Sequence, residues 1–405
     1  MIGGTWKMAL AGASALAMAS VSAIAADIKV GSLGGVTGPI AELVAPIVAA
    51  RNLAAQHVNE QGGLLDGDTY VLVLGDSACD AKAAVDAANK VVNVDQVVAV
   101  VGPNCSGATS AAAQSVTMPA GVVLLSESAT SPAISDLADG DTVFRVAPSD
   151  SFQGRSIAEQ ARAAGYQRVA VTFANDDYNS GLAQVFINSF QDMGGTVVAS
   201  QMHEPDKASY RSELATLAAD GNPQALMVFA YYGGSGITIL RNSLENELFD
   251  KFMAADGMFD NSVVEQIGAE NLAGRLAVSQ AASDTDSEAY QRFAQAFTAA
   301  GGDPQSPFVA HGYDAAFLMA LAIQKAGSAD RSLIAAALRE VANAPGEIVL
   351  PGEWEKARAL IAAGTDINYQ GASGDIEFDA NGDVSGLYSS NSVNADGSWT
   401  TKLLK

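Results

Sequence analysis

Hydroxyls, backbone amides and one carboxylate, all placed in short turns, are the groups of this 405-residue chain that could hold a small charged molecule. The turn "GPNCSGAT" (102–109) sets Ser106 beside the amides that open a helix, and Gly102 and Gly107 free its backbone for unusual angles. Such amides, together with the helix dipole, bind carboxylates and other anions. A second turn, "SESATSP" (126–132), repeats the device with Ser128, Ala129 and Thr130. The plain alternative is that these hydroxyls only cap helices. Further on, "FMAADGMFD" puts Asp256 directly after an apolar run, where a carboxylate could accept an ammonium group. A helix cap or a solvated turn is the competing role for it. Tyr178 in "ANDDYNSG", with Tyr231 and Tyr232 in "FAYYGG", could pack an apolar ligand surface or serve as core aromatics.

Other chemistry finds little support in the spacing. In "GSLGGVTGP", Gly34, Gly35 and Gly38 do not give G-x-G-x-x-G, and no G-K-[ST] follows, so a nucleotide phosphate has no cradle. No serine lies in G-x-S-x-G. His57, His203 and His311 are scattered, without H-E-x-x-H spacing, and read as surface or packing residues. Nothing matches a metal site. The expectation is therefore no catalytic residue, no metal and no cofactor.

Each of these turns ends an apolar run, and such runs alternate with helix-like stretches. "IKVGSLGG" precedes a helical stretch at 42–60, "YVLVLGD" one at 81–93 and "VVAVVGP" one at 109–115, with "GVVLLSES" following. A second series begins after "FRVAPSD": "RVAVTFAND" leads into 181–193, "TVVASQM" into 210–219 and "ALMVFAYYG" into 237–242, then "KFMAADG" and "RLAVSQA". This is the βαβ rhythm of doubly wound α/β domains with parallel sheets. In such sheets ligands bind at the carboxyl ends of the strands, where all the polar turns fall. Helical stretches at 287–300, 311–327 and 331–341 lead to an expected hairpin at "GDIEFDANGDVSG". Crossings near Ala147-Pro148, Val278-Ser279 and Gly386-Leu387 predict two lobes, one built from 27–147 and 279–386, the other from 148–278 and 387–405.

Composition bounds the partners. An apolar content of 49% suffices for real cores, and a net charge of −23 argues against nucleic acid and anionic membranes. Residues 1–26 read as a removable export leader: Lys7, the apolar stretch "MALAGASALAMASVSAIA", then a small-x-small site at Ala23-Ile24-Ala25. No later stretch is apolar for long enough to span a bilayer. Cys79 and Cys105 are the two cysteines, each at the end of an apolar run, so parallel neighbouring strands could bring them together. In an exported chain a bridge between them is favoured, and on loop-entropy grounds it would stabilise by about 3 kcal/mol. A reactive thiol is the rival reading.

In their order and spacing these residues resemble the periplasmic substrate-binding proteins of branched-chain amino acid ABC transporters. The marks are "IKVGSLGGVTGP", "DSACDAKAAVDAANKVV", "VVGPNCSGATSAAA", "SESATSP", "FRVAPSD", "ANDDYNSGLA", "AYYGG", "AADG", "HGYDAAFLMALAIQKAG" and "DIEFDANGDVSG". The likeness covers nearly all of the chain beyond the leader. It implies the type I periplasmic binding protein fold, with two lobes and a three-crossing hinge. It also implies a disulfide between Cys79 and Cys105, and a ligand carboxylate held by Ser106, Ser128, Ala129 and Thr130. Asp256 takes the place of the acid that receives the ammonium group, which is usually glutamate in leucine-binding members. Tyr178 and Tyr232 match crevice aromatics of the second lobe. Leu43 stands where leucine binders carry an aromatic, and Phe308 lies near another pocket wall.

The implied activity is capture of a free amino acid, apolar or branched-chain, and its delivery to an inner-membrane ABC permease. The protein would act as a periplasmic monomer, without nucleic acid and without making or breaking a bond. A sensor of amides or other small ligands on the same fold is the nearer alternative, though no fused output domain accompanies the lobes. A secreted α/β hydrolase is the more distant one, and it lacks a nucleophile motif.

Overall fold

The computed structural model describes residues 1–4, 25–219 and 221–404, so the expected leader lies mostly outside the described residues. In the first half, β1 (Asp27–Gly34), β2 (Thr69–Asp76), β3 (Ala99–Val101), β4 (Val123–Ser126) and β5 (Val143–Arg145) form one sheet in the order β2-β1-β3-β4-β5. All its pairings are parallel. The apolar runs of β3 and β4 are buried at every position, as strands covered by helices on both faces must be.

A second sheet begins with β6 (Arg168–Ala174), β7 (Thr196–His203), β8 (Ala225–Phe229), β9 (Phe252–Ala254) and β10 (Leu276–Ala282). Two short parallel strands, β11 (Glu347–Val349) and β12 (Ile367–Tyr369), pair with each other alone. The chain then returns to the second sheet with β13 (Leu387–Val393) and β14 (Trp399–Leu404), giving the order β14-β13-β10-β9-β8-β6-β7. The β13 and β14 pairings are antiparallel, so this sheet is mixed, with an antiparallel edge on a parallel body.

Helices after β10 return to the first sheet. Helix Val309–Ala326 is buried over most of its length and packs along helix Ala41–Glu60. Their approach needs Gly312, because a Cβ there would sit 2.8 Å from Ile47 Cγ2. The chain therefore passes between the sheets after β5, after β10 and before β13. The three crossings are tied together: the Tyr388 hydroxyl donates to the Ser149 carbonyl (3.0 Å), and Gln153 Nε2 donates to the Ser279 carbonyl (3.4 Å).

Two local expectations are corrected. The stretch 374–386 is not a hairpin. Its turn at 379–383 is closed by the backbone (Asp379 amide to the Asp383 carbonyl, 2.9 Å) and by the Asp379 carboxylate, which takes the amides of Asn381 (2.8 Å) and Asp383 (3.0 Å), and no strand ladder extends from it. Arg145 then grips Asp383 through two parallel bonds of 2.6 and 2.9 Å, fixing this segment to the end of β5. The Cys79–Cys105 disulfide is present, but it does not join neighbouring strands. Cys79 follows β2 and Cys105 follows β3, and β1 lies between those strands. The two turns fold over the end of β1 until the Cα atoms are 5.4 Å apart.

Replacing both cysteines with alanine frees a loop of 26 positions' separation in the unfolded chain. Urea unfolding of the double variant is expected to show a loss of about 3 kcal/mol. An unchanged unfolding midpoint would mean that the bridge constrains nothing.

Candidate ligand-binding site

The carboxyl ends of both sheets face one another and line a pocket between them. Ser106, Ser128, Thr130, Leu43 and Phe308 line it from the first sheet's side; Tyr178, Tyr231 and Asp256 line it from the second. Each polar lining residue stands in a turn directly after a strand or at the first turn of a helix. That is where orphan amides and short hydroxyl side chains gather.

Ser106 is held by its acceptor side. Its Oγ receives the amides of Thr130 (3.2 Å) and Ser131 (3.1 Å), so its own hydroxyl proton is left to donate into the pocket. Ser128 Oγ donates to the Asn104 carbonyl (3.2 Å), which locks the two turns together. Asn104 Oδ1 also accepts the Gly35 amide (3.1 Å), bringing in the turn after β1. Beneath these turns lies a buried ion pair between Arg51 and Glu127, with the Asn104 amide also on Glu127. Arg51 reaches on to Ser32 Oγ and the Leu33 carbonyl, both at 2.9 Å. Burial pushes the Glu127 carboxyl up, and the adjacent guanidinium pulls it back. One network thus fixes the ends of β1, β3 and β4.

On the opposite side Asp256 begins a single helical turn and is 4% exposed. Gln153 Nε2 donates to one of its oxygens (2.7 Å) and the Ala281 amide to the other (2.8 Å). It forms no ion pair among the described residues, and burial raises its pKa to about 6 against the pull of those donors. Tyr178 and Tyr231 stack with ring centroids 5.4 Å apart and make the adjoining aromatic wall. Gly257 lets the backbone pass beneath that wall, since a Cβ there would meet the Ala230 carbonyl at 2.7 Å. Phe308, at the far wall, has a φ of +59°, a left-handed conformation seldom found for a bulky side chain.

The sides of the cleft touch directly. Ser131 Oγ donates to the Asp177 carbonyl (3.2 Å), and a Cβ on Gly233 would sit 2.2 Å from the Pro39 carbonyl oxygen. Contacts between the two halves thus flank the pocket.

Two expected residues stand elsewhere. The Ala129 amide is spent on Ser126 Oγ (3.1 Å) and its carbonyl faces Arg145, so Ala129 shapes the turn without lining the pocket. Tyr232 lines a separate pocket with Pro39 and Glu42, and Tyr231 occupies the position on the aromatic wall. Strand alternation carries on past β8. Ala225, Met227 and Phe229 share a core with Tyr178, whereas Leu226, Val228, Ala230 and Tyr232 join the other core; Tyr231 packs against both and stacks on Tyr178. That alternation was the signal that separates the two tyrosines.

None of the three histidines joins the pocket. His57 bonds the Tyr313 hydroxyl (2.8 Å), and His311 packs edge-on to Phe308. His203 lies between Thr172 (2.8 Å) and Ser235 (2.7 Å), but Ser235 is buried away from the pocket, so the chain of groups serves to fix a turn.

Two facing α/β halves, crossed three times by the chain and closed over a charge-bearing pocket, define the type I class of periplasmic binding proteins. Comparison with known proteins agrees. The chain belongs to the receptor family ligand binding region, whose profile matches residues 47–390. It is 32% identical over 340 residues to a leucine-, isoleucine-, valine-, threonine- and alanine-binding protein of Pseudomonas aeruginosa, covering 82% of this chain and 86% of that protein. A Leu/Ile/Val-binding protein of Escherichia coli is 29% identical, covering 86% and 92%. Among solved structures, a leucine binding protein of Thermotoga maritima superposes with a TM-score of 0.78 at 25% identity, covering 93% of this chain and 97% of that one.

Arg51→Met would leave Glu127 buried without its cation. Chemical denaturation is expected to show a loss of about 3–5 kcal/mol. A loss below about 1 kcal/mol would show that the network under the turns is not a structural support.

Proposed function

We propose that this chain is an extracytoplasmic solute-binding protein that captures a free amino acid, apolar or branched-chain, between two hinged lobes and delivers it to an ABC importer. The observation that carries this reading is the placement of opposite demands in one pocket. The Ser106 hydroxyl has a proton to donate on one side, and Asp256 has a charge without a cation on the other. An amino acid zwitterion answers both at once. Ile40, Leu43, Phe308 and the tyrosine pair offer its side chain an apolar enclosure. The relatives that bind leucine, isoleucine and valine support the same ligand class.

The work is physical. Stripping water from the ligand's two charges costs several kcal/mol unless each meets a partner. Hydroxyls at the ends of β3 and β4 receive the carboxylate. Asp256 and the aromatic wall engage only when the second lobe swings in, so the ligand favours the closed state by its differential affinity. The lobes move about the crossings near Pro148, after Ala282 and before Leu387, and closure offers a composite surface to the permease. The protein acts in the periplasm as a monomer, after export, as a binder and not an enzyme.

Isothermal calorimetry with leucine, isoleucine, valine, phenylalanine, threonine and alanine tests this directly. At least one should bind, and Asp256→Ala should weaken it by roughly 30-fold or more, the cost of removing a buried charge partner. Far-ultraviolet circular dichroism of the variant should match the wild type. Unchanged affinity in the variant, or no binding across the panel, would contradict the proposal.

A further inference from the structure

The cleft has a second compartment. Leu43 and Phe308 line the pocket described above and also a neighbouring cavity of about 500 Å³, a size that holds small ligands. Both halves contribute to its walls. Glu42, Tyr290 and Asp303 line it from the side of the first sheet, and Phe259, Asp260 and Trp399 from the side of the second. The β10–β13 pair supplies a further wall, where Gln280 and Ser389 are register partners.

Its chemistry differs from that of the first pocket. Phe259, Tyr290, Phe308 and Trp399 bring four aromatic rings, and the Phe259 and Trp399 centroids lie 4.8 Å apart. Glu42, Asp260 and Asp303 bring three carboxylates, and no lysine or arginine lines the space. None of the three carboxylates is in an ion pair among the described residues. Asp260 and Asp303 each take one amide, from Ser262 (2.7 Å) and Gln305 (2.9 Å), which leaves their charge uncompensated. His311 lines the cavity too, but burial lowers its pKa to about 4, so it adds no positive charge at neutral pH. Gln280 is 8% exposed, and its side-chain amide makes no hydrogen bond among the described residues. Buried amides are ordinarily bonded, so this one marks a place for the polar end of a guest.

Aromatic faces and carboxylates without a competing cation make an environment for a positively charged organic group. Rings attract such a group within about 6 Å of their centroids, and tryptophan does so best. Among the described residues, no three acidic, histidine or cysteine side chains stand close enough together to hold a metal ion. The carboxylates therefore suit a diffuse charge better than a bare ion.

We propose that this cavity is a second binding site, for a small alkylammonium ion, separate from the pocket that takes the amino acid. Asp260 and Asp303 approach from opposite halves, so closure brings like charges together and a cation between them offsets the repulsion. Occupancy thus favours the closed cleft. On the amino acid reading given above, the two ligands then raise each other's affinity, since such coupling is reciprocal.

Calorimetry with choline tests this, with its uncharged carbon analogue 3,3-dimethylbutanol as the matched control at the same salt concentration. Choline should bind the wild-type protein and the alcohol should not. Trp399→Leu should weaken choline by about fivefold or more, the scale of a lost cation–π contact. Circular dichroism and the unfolding midpoint check its fold. Glu42→Gln changes only charge at an exposed position and should also weaken choline. An amino acid that binds in the panel above, added to saturation, should leave choline bound at least as tightly. No choline binding, equal binding of the alcohol, wild-type affinity in both variants, or displacement of choline by the amino acid would overturn the assignment. If no amino acid in the panel binds, the amino acid reading falls, and the choline measurements still decide this one.

Discussion

A carboxylate stripped of water must meet a positive charge or a full set of donors, and Asp256 has only part of such a set. It is buried, it receives the Gln153 side chain and the Ala281 amide, and it forms no ion pair among the described residues. Among the described residues, the protein thus holds a carboxylate without a cation between its two halves. Desolvation penalties of this kind are among the largest local terms in a folded protein. Such a cleft stays closed most readily with a cationic guest inside.

The rest of the architecture positions the answering groups. Parallel strands deliver turns to a common edge, and the order β2-β1-β3-β4-β5 puts the turns after β3 and β4 side by side. The Arg51–Glu127 pair and Asn104 fix those turns from below, and the disulfide fixes them from the flank. Ser106 is thereby oriented with its proton outward. Arg145 performs a parallel task at the crossings, binding Asp383 and the carbonyl after Thr130 with one guanidinium. Charges with full partners make the scaffold rigid, and charges without them define the site.

Much of this was legible in the residues. The alternation of apolar and helical runs specified α/β halves, because a strand buried on both faces must be apolar throughout. Glycine and hydroxyl turns marked the strand ends, and these lie at the pocket. Side-chain direction inside irregular turns was less legible. Ala129 lies in the expected turn, but its amide is consumed by Ser126, a bond that only three-dimensional placement reveals. Tyr232 was preferred over Tyr231, although strand alternation carried through to residue 231 would have put Tyr231 on Tyr178's face. The irregular course of 374–386 depends on a long-range partner, Arg145.

A high-resolution crystal structure of the protein with its bound amino acid tests the central claim most directly. The account predicts the ligand carboxylate within hydrogen-bond reach of Ser106 Oγ and the ammonium within reach of Asp256, with both lobes in contact. A cleft filled by a molecule lacking either charge, or Ser106 and Asp256 facing separate cavities, would contradict it.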